Sequence, residues 1–397
     1  MNVLVISSLY PSAHDPLSGI FVGAQVQELV KGGCQVKVVS PKPLAPFPLN
    51  LLSKKWAGFH ATPDYAAREN HEVYYPRYLS LPRNWSFCKS GERMFRGIKG
   101  VIREVVKEFP IDLIQAHVAL PDGYAAMRVA EELRIPLVVT IHGADLQRTV
   151  HFNRQCKDAI AEVISHSSGV VLVSNKLKDL AEKYFGKDDK FKVIANGIDP
   201  ASISPLSQGE HPENREHKTI LSVSNLIPTK GVDLNLYSLQ RLLDKHPNLR
   251  YWVIGDGPER ENLERLSRKL GLSSQVEFLG QLPREGVMRS MAECDIFSLP
   301  SWQEGFGIVY LEAMAHGKPV IGCLGEGIED FVVNEQTGFL VKPQDLESLV
   351  ETLADLLRDS QKGIETGKKA QEYVLENFTW ERNAQRTIQL YQKIIKD

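Results

Sequence analysis

The order strand, helix, strand occurs twice along this chain, and each time the strands are continuous apolar runs. "NVLVISS", "GIFVGAQVQELVKGG" and "CQVKVVS" form the first set. "KTILSVSNL", "VDLNLYSLQRLLDKHP" and "LRYWVIGDG" open the second, which continues through "VEFLG", "REGVMRSMAEC" and "DIFSLPS". Unbroken apolar strands suit parallel sheets covered on both faces, and the segments between them have helical spacing with stop signals. Alternation of this kind predicts an α/β fold of two similar, Rossmann-like domains with parallel sheets and crossover helices. A length of 397 residues gives each domain room for its own core.

Between the two sets lies "NGIDPASISPLSQGEHPENREHK", rich in Pro, Ser and charge and poor in apolar periodicity; it reads as a linker over residues 199–217. The last segment, "FTWERNAQRTIQLYQKIIKD", has helical spacing and fits either domain. A formal net charge of -2 makes no global electrostatic case for nucleic acid, so any anion site must be local. The five cysteines stand singly, without metal-ligand or CxxC spacing, which fits a reducing compartment. "MNVLVISSLYP" has no basic leader and too short an apolar run for a signal peptide or a span, so a cytoplasmic location is expected.

Open parallel sheets bind ligands at the carboxyl ends of their strands, and two such domains facing each other would make an interdomain cleft. Gly19, His117, His142, Asn225, Asp256 and Glu304 all fall at or just after predicted strand ends. The segment "SWQEGFGIVYLEAMAHGKPVI" adds a second carboxylate, Glu312. In one continuous helix Glu304 and Glu312 would stand about 12 Å apart along the axis and roughly 80° apart in azimuth. With the helix starting near Gly307 instead, Glu304 precedes it and Glu312 lies inside. The amides of Gly305, Phe306, Gly307 and Ile308 then face the space between the carboxylates, a setting that favours phosphate. Carboxylates repel phosphate, so their part would be to accept hydrogen bonds from hydroxyls on either side of it. A solvated pair on an amphipathic helix is the plainer alternative, weakened by the apolar run in which Glu312 lies. A glycosidase acid and base pair is a third.

The string Glu304, Gly305, Phe306, Gly307 and Glu312 resembles the signature of retaining GT-B glycosyltransferases of glycosyltransferase family four. The likeness extends through "NVLVISSLYP", "DLIQAHVALPDG", "TIHGADL", "VIANGID", "SVSNLIPTKGVDL", "VIGDGPER", "VEFLGQLP" and the final helix. Within that family it is similar to bacterial cell-envelope polysaccharide enzymes such as those building teichuronic acid. The resemblance implies a final helix that crosses back, giving domains of 1–198 plus 378–397 and 218–377.

It further implies that Lys230 and the helix amides hold the donor diphosphate, that Glu304 binds sugar hydroxyls and that Glu312 binds the ribose diol. His142 matches the histidine beside the transferred sugar, with Asp145 placed by spacing to orient it. His117 is a weaker candidate facing the acceptor, its plain alternative a loop histidine bonded to backbone. Gly19 would let backbone approach the diphosphate, or simply cap a helix. Leu282 matches a position whose backbone meets the base. The family pairs the lysine with an arginine five residues earlier, where this chain has Asn225, an uncharged donor. The donor implied is a UDP- or GDP-linked sugar, a substrate, and no cofactor is expected. No Asp-x-Asp motif stands at a strand end, so no metal is expected either.

"GERMFRGIKGVIREVVKEF" reads as an amphipathic helix, in a region from Arg77 to Lys107 that also carries Arg83 and Trp85. Its plain role is packing; its sharper one is peripheral contact with anionic lipid carrying a lipid-linked acceptor. Two other functions compete with transfer: a sugar-nucleotide 2-epimerase and a catalytically silent nucleotide-sugar-binding subunit. A dinucleotide oxidoreductase is disfavoured, because the first strand-to-helix loop lacks G-x-G-x-x-G.

Overall fold

The computed structural model describes residues 1–45, 48, 54–81, 86–203 and 217–396. The chain divides into two compact units, Met1–Asn196 with Trp380–Asp397, and Gly197–Thr379. Of the expected linker, residues 204–216 lie outside the described residues, as do Arg83 and Trp85.

The strands of the first unit are β1 (Asn2–Ile6), β2 (Gln35–Val39), β3 (Lys42–Pro43), β4 (Tyr65–Ala67), β5 (Glu72–Tyr74), β6 (Arg77–Tyr78), β7 (Leu113–His117), β8 (Leu137–Ile141), β9 (Gly169–Leu172) and β10 (Phe191–Val193). Eight of them form one sheet in the order β10-β9-β8-β7-β1-β2-β5-β4, parallel except for the β4–β5 edge pair. The order reverses between β1 and β7, where Val3 sits opposite Leu113 and Ile6 opposite Ala116. That reversal opens the crevice at the carboxyl ends where such sheets take ligands. β1, β7 and β8 are apolar without alternation because both faces are covered, and their aliphatic residues are fully buried.

Helix Ile20–Lys31 presents Val22, Val26 and Leu29 to the core, which also takes Ala384 and Tyr391 from the last helix, Trp380–Lys396. A buried polar net fixes that helix in register. Gln25 Nε2 donates to Asn383 Oδ1 at 2.6 Å, Asn383 Nδ2 donates to the Ala195 carbonyl at 2.7 Å, and the Tyr391 hydroxyl donates to Gln115 Oε1. A slip of the helix would strand these groups, at about 1–3 kcal/mol for each buried polar atom left unpaired.

The second unit holds β11 (Thr219–Val223), β12 (Arg250–Ile254), β13 (Val276–Gly280), β14 (Ile296–Ser298), β15 (Val320–Cys323) and β16 (Phe339–Val341). They form an all-parallel sheet in the order β13-β12-β11-β14-β15-β16, so the reversal falls between β11 and β14. Helix Val232–Leu242 buries Leu236, Leu239 and Leu242 on this sheet. Its Asn235 ties the switch point together: Nδ2 donates to the Ser298 carbonyl at 3.0 Å and Oδ1 accepts from Ser298 Oγ at 2.7 Å.

Helix Ser90–Glu108 buries Met94, Phe95, Ile98, Ile102 and Val105, which accounts for its apolar stripe. Its cations are largely answered by nearby acids and carbonyls. Arg96 pairs with Glu92 at 3.0 Å, Lys107 with Glu104 at 2.7 Å and Lys99 with Glu132, while Arg93 donates to the Leu79 carbonyl and to Ser86. Among the described residues no helix is long and apolar enough to cross a membrane.

Candidate active site

At the carboxyl ends of β11 and β14 two loops are fastened to each other. Ser301 Oγ and the Trp302 amide both donate to the Thr229 carbonyl, at 3.1 and 3.0 Å. Gly231, with φ 67°, lies so close to Pro300 that a Cβ would stand 2.5 Å from its carbonyl oxygen. These contacts bring Lys230 to Glu304, with Nζ 2.5 Å from Oε2 and both side chains mostly covered. The residues predicted to hold the diphosphate and the sugar hydroxyls are therefore an ion pair with each other.

The helix after Glu304 is Ile308–Ala315, with Gly307 as its left-handed N-cap at φ 94°. Glycine is required there: a Cβ would meet the Tyr310 ring at 2.5 Å. By helix geometry the first amides of such a segment have no intrahelical partner and carry partial positive charge. Phe306 is buried against Phe331, ring centroids 5.1 Å apart, so it anchors the loop from below. Gly305 is buried beside it. Glu304 is also gripped through its backbone, its amide donating to Glu326 Oε2 at 2.5 Å and its carbonyl accepting from the Gly327 amide at 3.3 Å.

Glu312 is 7% exposed, inside the helix as expected, and Arg284 Nη1 donates to its Oε1 at 2.9 Å. Burial pushes the carboxyl above its ordinary range, and the Arg284 guanidinium pulls against that shift. Arg284 reaches on to Ser202 Oγ at 3.2 Å. Each of the two glutamates thus has its own cation.

Asn225 is exposed on the loop after β11, its carbonyl accepting from the Ile227 amide at 2.9 Å. Leu282 is half-buried between β13 and helix Arg284–Glu293. Among the described residues no group of three or more His, Cys, Asp or Glu could hold a metal ion.

In the first unit His117 ends β7 and His142 follows β8, its neighbour in the sheet. His117 Nδ1 and His142 Nε2 are 2.9 Å apart and the rings are nearly parallel. Both imidazoles are held neutral: burial lowers His142 to about 3, and burial with the neighbouring His142 lowers His117 well below its usual value. The outer atoms, His117 Nε2 and His142 Nδ1, are buried and have no partner. One proton lies between the rings, so the pair offers one donor and one acceptor at its ends, the complement of a hydroxyl group. Val118 follows with φ 65°, a backbone region that a β-branched residue rarely enters and that costs about 1–3 kcal/mol.

Asp145 does not orient His142, contrary to what their spacing suggests. Both Asp145 oxygens accept backbone amides, from Ala119 at 2.9 Å and Leu120 at 3.1 Å, and His117 is the group that meets His142. Gly19 is the left-handed N-cap of helix Ile20–Lys31, and a Cβ there would stand 2.3 Å from the Leu9 carbonyl. Its packing alone therefore demands glycine. The helix it starts sets Phe21 against His142, centroids 4.6 Å apart.

Sequence reasoning missed Arg284, Glu326 and Phe21. Arg284 had a signal, since a cation opening a helix opposes the macrodipole and implies a carboxylate nearby. Glu326, in "LGEGIED", and Phe21, in a helix-like stretch, had none.

Residues 205–374 match the family described as Glycosyl transferases group 1, and residues 19–202 match Glycosyltransferase Family 4. The chain is 28% identical over its full length, and over 99% of the other protein, to TuaC of Bacillus subtilis (strain 168), whose name attaches it to teichuronic acid biosynthesis. It is 30% identical to the D-inositol 3-phosphate glycosyltransferase of Corynebacterium efficiens, over 70% of each chain. Among solved structures it superposes on Anabaena HepE in complex with UDP-glucose with a TM-score of 0.71, 20% identity and coverage of 100% and 98% of the two chains. Paired parallel sheets with a strand-order reversal in each, the Lys230–Glu304 pair beside a glycine-capped helix, and these matches agree: the chain belongs to glycosyltransferase family 4, has the GT-B fold and is a glycosyltransferase.

Proposed function

We propose that this transferase moves a sugar, with retention of anomeric configuration, from a UDP- or GDP-linked donor to a hydroxyl acceptor in cell-envelope polysaccharide or glycolipid synthesis. The observation that carries the reading is Lys230 Nζ at 2.5 Å from Glu304 Oε2, ahead of the amide tip of helix Ile308–Ala315. An ammonium has three donors and a carboxylate about four acceptor sites. The pair therefore retains capacity to meet phosphate on one side and sugar hydroxyls on the other.

In the reaction the bond between the anomeric carbon and the diphosphate oxygen breaks, and the acceptor oxygen bonds to the same face. The acceptor's proton passes to the departing diphosphate oxygen. Lys230 and the helix amides stabilise the charge that develops there. Glu304 orients the sugar, and Glu312, held by Arg284, accepts from the ribose diol. The resemblance assigns His142 to the transferred sugar, and the His117–His142 pair has one donor and one acceptor to offer a hydroxyl. The charge is met by protein groups, so the activity is expected to survive metal chelation.

The UDP-glucose bound by HepE supports the donor class, and the likeness to TuaC supports the envelope role. A lipid-linked acceptor at the inner membrane face belongs to the same reading through helix Ser90–Glu108. Its paired cations predict weak, salt-sensitive binding to anionic vesicles, and sedimentation that is equal with neutral ones would remove that element. The central test is to screen nucleotide sugars for thermal stabilisation, transfer the sugar of the best one to candidate acceptors, and read the anomeric configuration of the product by NMR. An inverted product refutes the same-face mechanism. Release of an isomerised sugar nucleotide would favour an epimerase, and binding without turnover a silent subunit.

A further inference from the structure

We propose that Glu326 is a positioning residue for Glu304, and through it sets how strictly the enzyme reads the hydroxyls of the donor sugar; this rests on the function proposed above. Glu326 is 7% exposed, a costly place for a carboxylate, and its Oε2 accepts the Glu304 amide at 2.5 Å. The next residue completes a two-sided grip. The Gly327 amide donates to the Glu304 carbonyl at 3.3 Å, and Gly327 lies so close that a Cβ would stand 2.3 Å from the Gly305 carbonyl oxygen and 2.8 Å from the Phe306 Cα.

The segment Glu304–Phe306 is therefore fixed from two directions. The Lys230 ammonium holds the side chain of Glu304, and Glu326–Gly327 hold its backbone. With the ammonium alone, the carboxylate could pivot about Nζ while keeping the ion pair. The backbone grip fixes where the side chain starts and the ammonium holds Oε2 at its other end, so few rotamers satisfy both and the directions open to Oε1 are narrowed. A hydrogen bond to a sugar hydroxyl depends on that direction, whereas electrostatic stabilisation of the diphosphate depends on it far less. The charge of Glu326 strengthens its bond to the amide beyond what a neutral acceptor would give.

The test uses the full-length protein and whichever of UDP-glucose, UDP-N-acetylglucosamine, UDP-galactose and GDP-mannose it turns over fastest, with the singly deoxygenated analogues of that donor. Glu326→Ala should lower kcat about 10- to 100-fold while the donor KM stays within about threefold, as expected when a reacting group is misplaced rather than removed. Discrimination between the full and deoxy donors should collapse towards unity. Glu326→Gln keeps a carbonyl acceptor and should restore most of both. A residue that only supported the fold would lower the melting temperature and cut turnover of all donors by the same factor, with discrimination unchanged; that outcome overturns the proposal, as does full discrimination in Glu326→Ala. Glu304→Gln is measured alongside. If it is as active as the parent, or if no donor is turned over at all, the reading of the site fails and this inference with it. If Glu304→Gln is crippled while Glu326→Ala discriminates normally, the inference alone fails.

Discussion

Lys230 and Glu304, 74 residues apart in sequence, meet at 2.5 Å because β11 and β14 are neighbours in the sheet and their following loops are bonded through Thr229, Ser301 and Trp302. The pair is made by topology, and each partner is mostly withdrawn from water. Removing either one leaves a partly buried charge without its closest counter-ion.

Lys230→Ala should therefore harm the chemical step more than binding. A charge-assisted hydrogen bond contributes about 1.5–3 kcal/mol, which, realised as the diphosphate departs, is roughly tenfold to over a hundredfold in rate. Steady-state kinetics should show the loss mainly in kcat, and Lys230→Arg should recover only part of it, because a planar fork does not replace a point charge against Glu304. A rise in donor KM at constant kcat would mean that Lys230 contributes uniform binding only.

Asn225 offers a gain-of-function test. It is exposed and five residues before Lys230, the position where the resemblance implies an arginine. Exposure gives a longer side chain room without repacking. Asn225→Arg should tighten UDP binding and raise kcat/KM for the donor about three- to tenfold, consistent with about 0.7–1.4 kcal/mol from an added, partly solvated cation. Isothermal calorimetry with UDP checks the first and initial rates the second; unchanged values on both would show that the arginine site is not reconstituted here.

Gly307→Ala tests the helix tip. The residue has φ 94°, and its Cβ would press on the Tyr310 ring at 2.5 Å. Tyr310 cannot easily give way, since it is fully buried and its hydroxyl donates to the Leu299 carbonyl. Strain of about 1–3 kcal/mol should fall on the tip itself, lowering the melting temperature by several degrees and UDP affinity with it. A variant that melts lower but binds UDP equally well would detach the helix tip from the phosphate.

The strand-end residues were legible because buried parallel strands write unbroken apolar runs, and whatever polar residue follows such a run stands at the sheet's ligand edge. Glu304, His117 and Asn225 were found in that way. Side-chain partners were not legible, since they depend on strand order. Lys230 with Glu304, and Arg284 with Glu312, are each brought together by elements that are distant in sequence. Asp145 shows the opposite error. Three residues from His142 it looks like a neighbour, but Gly143 turns the chain at φ 131° and sends the carboxylate to the Ala119 and Leu120 amides. The glycosyltransferase signature carried the chemistry; the grip of Glu326 on Glu304 is set by the loop after β15, which no local sequence pattern marks.

The buried acids and imidazoles beside the first sheet predict an unusual pH dependence of stability. Burial raises the Asp122 carboxyl to about 7, although Ser8 donates to its Oδ2 from both backbone and side chain, and raises Asp145 to about 6. A carboxyl whose folded pKa is raised binds its proton more tightly when folded. Its stabilising contribution is complete below the unfolded value, near 3.9, and is lost as pH climbs through the folded value. His142, lowered to about 3, has the reverse sign: its contribution is complete above roughly 6.5 and is lost as pH falls through 3. Between pH 4 and 6 the two kinds of group oppose each other, so the melting temperature should vary little there. Asp122→Asn keeps a carbonyl acceptor for Ser8 but takes up no proton, which leaves the imidazoles less opposed. Its melting temperature should fall more steeply than the parent's as pH drops from 7 to 4, by up to about 1.4 kcal/mol of stability per pH unit. His142→Phe should do the opposite and flatten the acid limb. Parallel curves for parent and Asp122→Asn would show that the carboxyl titrates as an ordinary solvated acid.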